Sequence, residues 1–96
     1  MEAISLPKFD REFKKLVKKV QDRVKKEIKA ILNKPDIGEL KRGDLANVRV
    51  HKFNERNKLY LLAYEADSKE NRLYLYTIGV HEGFYKRLKR YLKEIE

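Results

Sequence analysis

The sequence predicts an α+β domain in which helices pack around an antiparallel three-stranded meander, and three observations lead to that prediction. Apolar residues recur at helical spacing in the first third of the chain, alternate with polar residues from about residue 48, and return to helical spacing after residue 83. The 96 residues are 42% hydrophobic, which is enough apolar material for one core. We therefore expect a single domain over residues 1–96.

Residues 9–33 are predicted to be helical, because their apolar positions form a stripe that includes Phe13, Leu16, Val20, Val24 and Ile28. The pattern alone leaves open one long helix or two helices that break between Val17 and Asp22. Valine weakens a helix at that point, and Asp22 is a candidate cap for a second helix. Pro35 ends the helical region, since the residue before a proline avoids helical geometry.

Three strands are predicted after this region, at about Asn47–Phe53, Lys58–Ala66 and Arg72–Gly79. The segments between them are short and polar, as the loops of β-hairpins usually are. An amphipathic helix follows from about Gly83. The short segment Ala3–Leu6 is a candidate for an additional edge strand.

The charge of the chain is strongly positive. Twenty-four Lys and Arg residues against fifteen Asp and Glu residues give a formal net charge of +9, which favours a polyanionic partner and nucleic acid first among them. The absence of Cys excludes disulfides and thiolate metal sites. No leader peptide and no membrane-spanning stretch is evident, so we expect a cytoplasmic protein without membrane contact.

The first meander strand suggests where a binding surface lies. Val48 and Val50 point to one face of the sheet, while Arg49 and His51 point to the other. If the valines face the helices, the second face is open and forms a platform for RNA. We expect the apolar residues Leu59, Leu61 and Ala63 on this same open face, and Tyr74, Tyr76 and Ile78 together on one face of the third strand.

The two histidines follow from the same arrangement. His51 is placed near the end of the first strand and His81 just beyond the third, so a meander brings them to one edge of the sheet, roughly 10 Å apart. Histidine transfers protons near neutral pH, and cleavage of RNA without a metal needs a base, an acid and cations at the phosphate. The side chains expected to supply these functions are Arg49, His51, Lys52, His81 and Tyr85. No metal and no cofactor is expected.

The segment Gly79-Val80-His81-Glu82-Gly83-Phe84-Tyr85 and the basic helix after it resemble the closing stretch of the RelE/ParE toxin superfamily, in which a strand ends in glycine before a polar loop and a tyrosine. The segment Leu40–Leu45, followed by Val48-Arg49-Val50, is similar to the family's turn into its first meander strand. The segment Tyr60–Tyr64 is similar to the central strand. The order of elements also matches, so the resemblance covers nearly the whole chain.

The resemblance implies a RelE-like fold, in which the helical region is an antiparallel hairpin. It also implies a toxin that an antitoxin neutralises and that cleaves mRNA in the ribosomal A site without a metal, leaving a 2′,3′-cyclic phosphate. Arg49 and His51 then match two cationic positions of the first strand, His81 a basic loop position, and Tyr85 a catalytic aromatic residue. Leu61 departs from the family pattern, which often has an arginine there.

Further residues and other functions belong to the same hypothesis. Lys52, Arg56 and Arg87 are expected to bind RNA, and Arg49, Lys52 or Arg56 would replace the missing arginine. Ribosomal RNA and an antitoxin that docks on the apolar floor of the platform are the other expected partners. Two alternatives remain open, a ParE-like inhibitor of DNA gyrase and a non-toxic RNA-binding module. The alternative to a catalytic role for Tyr85 is that its side chain only packs at the start of the last helix.

Overall fold

The computed structural model describes residues 1–45 and 47–95, so Ala46 and Glu96 of the predicted domain lie outside the described residues. The α+β prediction is confirmed, since three helices and five strands occur in the described part of the chain. Their order is β1 (Glu2–Ser5), α1 (Pro7–Lys14), α2 (Lys18–Asn33), β2 (Glu39–Leu40), a 3-10 turn (Gly43–Leu45), β3 (Arg49–Glu55), β4 (Lys58–Asp67), β5 (Arg72–Val80) and α3 (Phe84–Glu94).

The helical region is two helices. Proline in the first turn of α1 favours a helix start at that point, which is earlier than the pattern predicted. The chain is extended at Val17, where φ is −66° and ψ is 156°, and α2 begins with the next residue. Asp22 does not cap α2. It lies within the helix, where its carboxylate is 3.2 Å from the ammonium of Lys18.

The five strands form one sheet in the order β1-β5-β4-β3-β2. The candidate edge strand near the start of the chain is present as β1, which runs parallel to β5, while every other pair is antiparallel. The three predicted meander strands are β3, β4 and β5. The short β2 extends the sheet on the other side, with Glu39 opposite Val50 and Leu40 opposite Arg49.

Each face of the sheet is covered by helix. The α1/α2 face is packed on a buried cluster of Phe9, Val20, Val24, Ile31, Phe53, Tyr60, Leu62, Tyr64, Leu73, Leu75 and Ile78. The α3 face is packed on a second cluster of Leu45, Val48, Val50, Leu61, Ala63, Phe84 and Leu88. The predicted open face carrying Arg49 and His51 is therefore wrong, because Val48 and Val50 lie under α3 and the alternate residues of β3 lie under α2.

An irregularity in the pairing of β4 with β5 changes the alternation of β5. Ala63 is opposite Thr77, but its neighbour Tyr64 is opposite Leu75, so β5 carries one extra residue at this point. Leu75 and Ile78 consequently share the α1/α2 face, while Tyr76 packs against the α3 cluster. The expectation that Tyr76 and Ile78 share a face is wrong for this reason.

Tyr64 stabilises the connection between α2 and β2. Its fully buried hydroxyl donates a hydrogen bond to the carbonyl of Pro35 at 2.6 Å and accepts one from the amide of Gly38 at 2.9 Å. A Cβ on Gly38 would lie 2.8 Å from the Tyr64 ring, so only glycine fits there without movement. Burial raises the pKa of the Tyr64 hydroxyl, which keeps it protonated as this geometry requires.

The substitution Tyr64→Phe is expected to destabilise the protein by about 1–3 kcal/mol, because it leaves the buried amide of Gly38 without an acceptor. Urea denaturation measures the change. The matched control is Tyr91→Phe, which removes a hydroxyl from a partly exposed ring and should cost less than about 0.5 kcal/mol. Equal stabilities for the two variants would contradict the role assigned to Tyr64.

Candidate nucleic-acid interface

His51 lies under α2 and is only 9% exposed. Its Nε2 is 2.6 Å from Oε1 of Glu27, and its ring stacks on Phe53 with 6.2 Å between the ring centroids. A carboxylate only accepts hydrogen bonds, so Nε2 carries the proton and donates. The placement of His51 on an open RNA platform is therefore wrong, and its observed contacts join β3 to α2.

Arg49 also makes contacts within the protein. Its guanidinium donates to the carbonyl of Gly38 at 2.8 Å and to that of Asp36 at 3.4 Å, both in the connection between α2 and β2. The residue is half-buried on the α1/α2 face of β3. Arg49 thus satisfies backbone acceptors of this connection and lies apart from the α3 face.

A polar network connects α2 to β3 around His51. Arg23 of α2 contacts Glu27 at 2.8 Å and Glu55 of β3 at 3.1 Å, and its guanidinium lies 5.4 Å from the ring centroid of Phe53. Burial alone would raise the pKa of Glu27, but hydrogen bonds from His51 and Arg23 outweigh it and lower the pKa below its usual value. The ionised form of Glu27 therefore stabilises the packing of α2 on the sheet.

This network predicts a pH dependence of stability. A carboxyl whose pKa is lower in the folded than in the unfolded protein stabilises the fold above the unfolded pKa, and that stability is lost as the pH falls through the folded pKa. The free energy of unfolding should therefore fall less steeply below about pH 5 in Glu27→Gln than in the wild type. Urea denaturation at several pH values tests this. Glu70→Gln, in an exposed turn, is the control and should keep the wild-type slope.

His51 and His81 are not brought together. His51 is opposite Leu62 of β4, and Leu62 is opposite Ile78 of β5. His81 therefore lies two strands away from His51, and it follows the residue level with His51 by three positions (81 − 78). His81 is exposed beyond the end of β5, where its amide donates to the carbonyl of Leu59 at 3.0 Å. The expectation that both histidines flank one phosphate is wrong.

Several predicted site residues lie on or beside the α3 side of the sheet. Lys52 is opposite Leu61, a member of the α3 cluster, which places Lys52 on the α3 face as an exposed cation. His81 lies at an open cavity of about 320 Å³, whose lining residues are Asn57, Lys58, Leu59, Val80, His81 and Glu82. The apolar residues Leu59, Leu61 and Ala63 belong to this face and not to the face of His51.

Tyr85 lies in the first turn of α3. Its ring packs edge-to-face against Phe84, with 5.8 Å between centroids. Its hydroxyl oxygen is buried and, among the described residues, has no hydrogen-bond partner. The ammonium of Lys41 lies 4.9 Å from the centroid of the Tyr85 ring, within the range of a cation–π contact. Tyr85 therefore combines core packing with an unpaired polar atom.

Lys41 is a member of this surface that the sequence analysis missed. Its amide donates to the carbonyl of Val48, which extends the β2–β3 pairing and directs Lys41 to the α3 face. Its ammonium is 2.9 Å from the Glu39 carboxylate. Burial works against the charged ammonium, but the hydrogen bond to Glu39 favours it, and the pKa of Lys41 is raised. No pattern in the sequence marks Lys41, because the connection that contains it has no regular period.

Arg87 lies on the opposite side of α3 from Lys41. Its guanidinium donates to the carbonyl of Glu82 at 2.9 Å and lies close to Gly79, where a Cβ would be 3.4 Å from Nη2. Gly79 is opposite Leu61 on β4, so the positive charge of Arg87 lies beside the central strand at Leu61.

Arg56 differs from the other predicted RNA-binding residues. It occupies the turn between β3 and β4 with a φ of 55°, and it lines a cavity of about 490 Å³ with Arg23 and Glu55. That cavity belongs to the α1/α2 side of the sheet. Lys52, His81, Tyr85 and Arg87 therefore lie on or beside the α3 side of the sheet, with Tyr85 and Arg87 on different sides of the helix. Arg49, His51 and Arg56 lie on the α1/α2 side.

Two further properties concern ligands and membranes. Within residues 1–45 and 47–95, no three side chains of His, Asp or Glu approach each other as a metal site requires. In the same residues no helix is both long and apolar enough to cross a membrane.

Comparison with solved structures identifies the fold. The isolated RelE toxin of Escherichia coli is 21% identical, with a TM-score of 0.67 over 93% of this chain and 96% of that one. The RelBE2 toxin-antitoxin complex of Mycobacterium tuberculosis matches at 17% identity and a TM-score of 0.70, over 83% and 96%. The intact RelBE complex of E. coli matches at 20% identity and 0.67, over 81% and 93%. The chain therefore has the fold of RelE toxins.

The sequence itself shows the family. Residues 3–89 match the model of the ParE-like toxin of type II bacterial toxin-antitoxin systems. No match is found among curated protein sequences. The chain belongs to the ParE-like toxins within the RelE/ParE superfamily, and it is a toxin of a type II toxin-antitoxin system.

Proposed function

We propose that this toxin is a ribosome-dependent endoribonuclease that cleaves mRNA in the A site without a metal ion, at the start of α3. The observation that carries the proposal is the position of His81, which is exposed at an open cavity beside the α3 face, on which the cation Lys52 also lies. The net charge of +9 supports a polyanionic substrate.

The proposed reaction is an internal transfer within the RNA. The 2′-hydroxyl oxygen attacks the adjacent phosphorus, a 2′,3′-cyclic phosphate forms, and the bond to the 5′-oxygen breaks. The 2′-hydroxyl loses a proton and the 5′-oxygen gains one. We assign proton transfer to His81, because it is exposed at the cavity and histidine exchanges protons near neutral pH.

The remaining side chains have supporting roles in this proposal. Lys52 and Arg87 neutralise the charge that develops on the phosphate oxygens. The buried hydroxyl of Tyr85 would donate a hydrogen bond to a phosphate oxygen at this edge, which offsets the cost of its unpaired state. Leu59 offers an apolar surface to a base. Arg49 and His51 take no part, because their contacts lie on the α1/α2 side.

An antitoxin is the second proposed partner. The similar structures from E. coli and M. tuberculosis include toxin-antitoxin complexes. We propose that a cognate antitoxin with acidic segments neutralises this chain, since such segments complement its positive charge.

Substitution of His81 tests the ribonuclease. His81→Ala should lower mRNA cleavage on translating ribosomes by about 10²-fold or more, the usual contribution of a positioned acid or base. Primer extension on mRNA from expressing cells measures it. Lys69→Ala, in the exposed turn between β4 and β5, is the control and should cleave as the wild type does. Undiminished cleavage by a folded His81→Ala protein would remove His81 from the site.

Inhibition of DNA gyrase is the alternative function, and two observations favour it. The matching family model is that of ParE-like toxins, and the central strand carries Leu61 instead of an arginine. Arrested cells with intact mRNA and accumulating DNA breaks would select this function over the ribonuclease.

A further inference from the structure

We propose that Lys41 binds a phosphate of the RNA next to the phosphate that Lys52 contacts, and that the Glu39 carboxylate occupies this position until RNA displaces it. The inference rests on the proposed function, because it takes RNA as the ligand of the α3 face. It adds a binding residue and a built-in competitor to that site.

Lys41 is held in place by its neighbours before any ligand binds. Its side chain is only 18% exposed, which is unusual for a lysine, whereas that of Glu39 is 64% exposed. The Tyr85 ring lies under the ammonium at 4.9 Å and Glu39 pairs with it at 2.9 Å. A cation already fixed in this way loses little further freedom on binding a ligand, so more of its interaction energy contributes to affinity.

The local charge around Lys41 is positive and favours an anionic ligand. Glu39 is paired with Lys41, whose hydrogen bond lowers the pKa of Glu39, and the charge of Lys52 adds to this effect. The three groups together carry an excess of one positive charge (+2 − 1). A phosphodiester also carries one negative charge and has two free oxygens, so it can replace the carboxylate and accept a hydrogen bond from Lys41, while Lys52 contacts the neighbouring phosphate.

The Glu39 side chain is free to move away from Lys41. It lies at the outer edge of the sheet on a two-residue strand, and its side chain is mostly in solvent. Rotation of this side chain releases Lys41 without a change in the backbone or in the core. A phosphate oxygen at Lys41 would also bring an acceptor close to Tyr85, whose hydroxyl lacks a partner among the described residues.

The test uses a single-stranded RNA whose 2′-hydroxyls are all methylated, so that the intact chain binds it without cleavage. Binding is measured by fluorescence anisotropy over a range of salt concentrations. Each phosphate contact to a single strand contributes about 0.7 to the slope of log K against log salt. We expect Lys41→Met to reduce the magnitude of the slope by about this amount, while Lys41→Arg keeps the slope of the wild type. Lys69→Met is the matched control and should also keep it.

The role of Glu39 is tested in the same assay. Glu39→Gln should tighten binding at least about 2-fold when Lys41 is present, and should have no such effect in the Lys41→Met background, because the competition is for Lys41. If Glu39→Gln tightens RNA binding equally in both backgrounds, Glu39 acts only through its general negative charge. That result would contradict the proposed competition for Lys41. Thermal melting shows whether each variant is folded.

Failure of the inference is distinguishable from failure of the proposed function. If the wild type binds the RNA and Lys41→Met has the slope of Lys69→Met, only the assignment of Lys41 is wrong. If the wild type does not bind single-stranded RNA at low salt, the RNA-binding function fails and the inference fails with it.

Discussion

The packing of α3 on the sheet is the interaction on which the position of the proposed site depends. Phe84 and Leu88 are fully buried against a cluster that includes Val50, Leu61 and Ala63. Burial of two such side chains contributes on the order of 1.5–3 kcal/mol each. These two anchors set the rotation of α3, so Tyr85 is directed towards Lys41 and Arg87 towards Gly79.

The other face of the sheet has a different role. There α2 is held by apolar packing and by the network of His51, Glu27, Arg23 and Glu55, in which each charged group has a partner. A buried histidine that donates a hydrogen bond to a carboxylate stabilises the fold, and the same contact holds it away from the α3 face. The protein thus separates its two histidines, one for the structure of the domain and one at the proposed site.

Much of the fold follows from the sequence, because the change of apolar period from helical to alternating marks the elements directly. The proline of the connection, the polar hairpin loops and the edge strand near the start are all local signals. The break between α1 and α2 was left open by the pattern and resolved only by the family resemblance. It lies at Val17, where no capping side chain marks it.

The faces could not be predicted with the same success. Alternation in β3 showed that Val50 and His51 lie on opposite faces, but not which helix covers which face. The extra residue in β5 places Ile78 and Tyr76 on opposite faces of the sheet, whereas simple alternation predicts the same face for both. His81, Lys52 and Tyr85 are predicted from local motifs of the strand and the closing loop, and their role in a site stays a prediction. Lys41 was missed because only long-range pairing places it beside Tyr85.

The central claim is that RNA binds the α3 face and not the face under α1 and α2. Amine-reactive footprinting with and without single-stranded RNA, read by mass spectrometry, tests it most directly because lysines occur on both sides. We expect protection of Lys52 and Lys41 on RNA binding, with Lys18 and Lys25 of α2 remaining reactive. Protection confined to the lysines of α2 would contradict it.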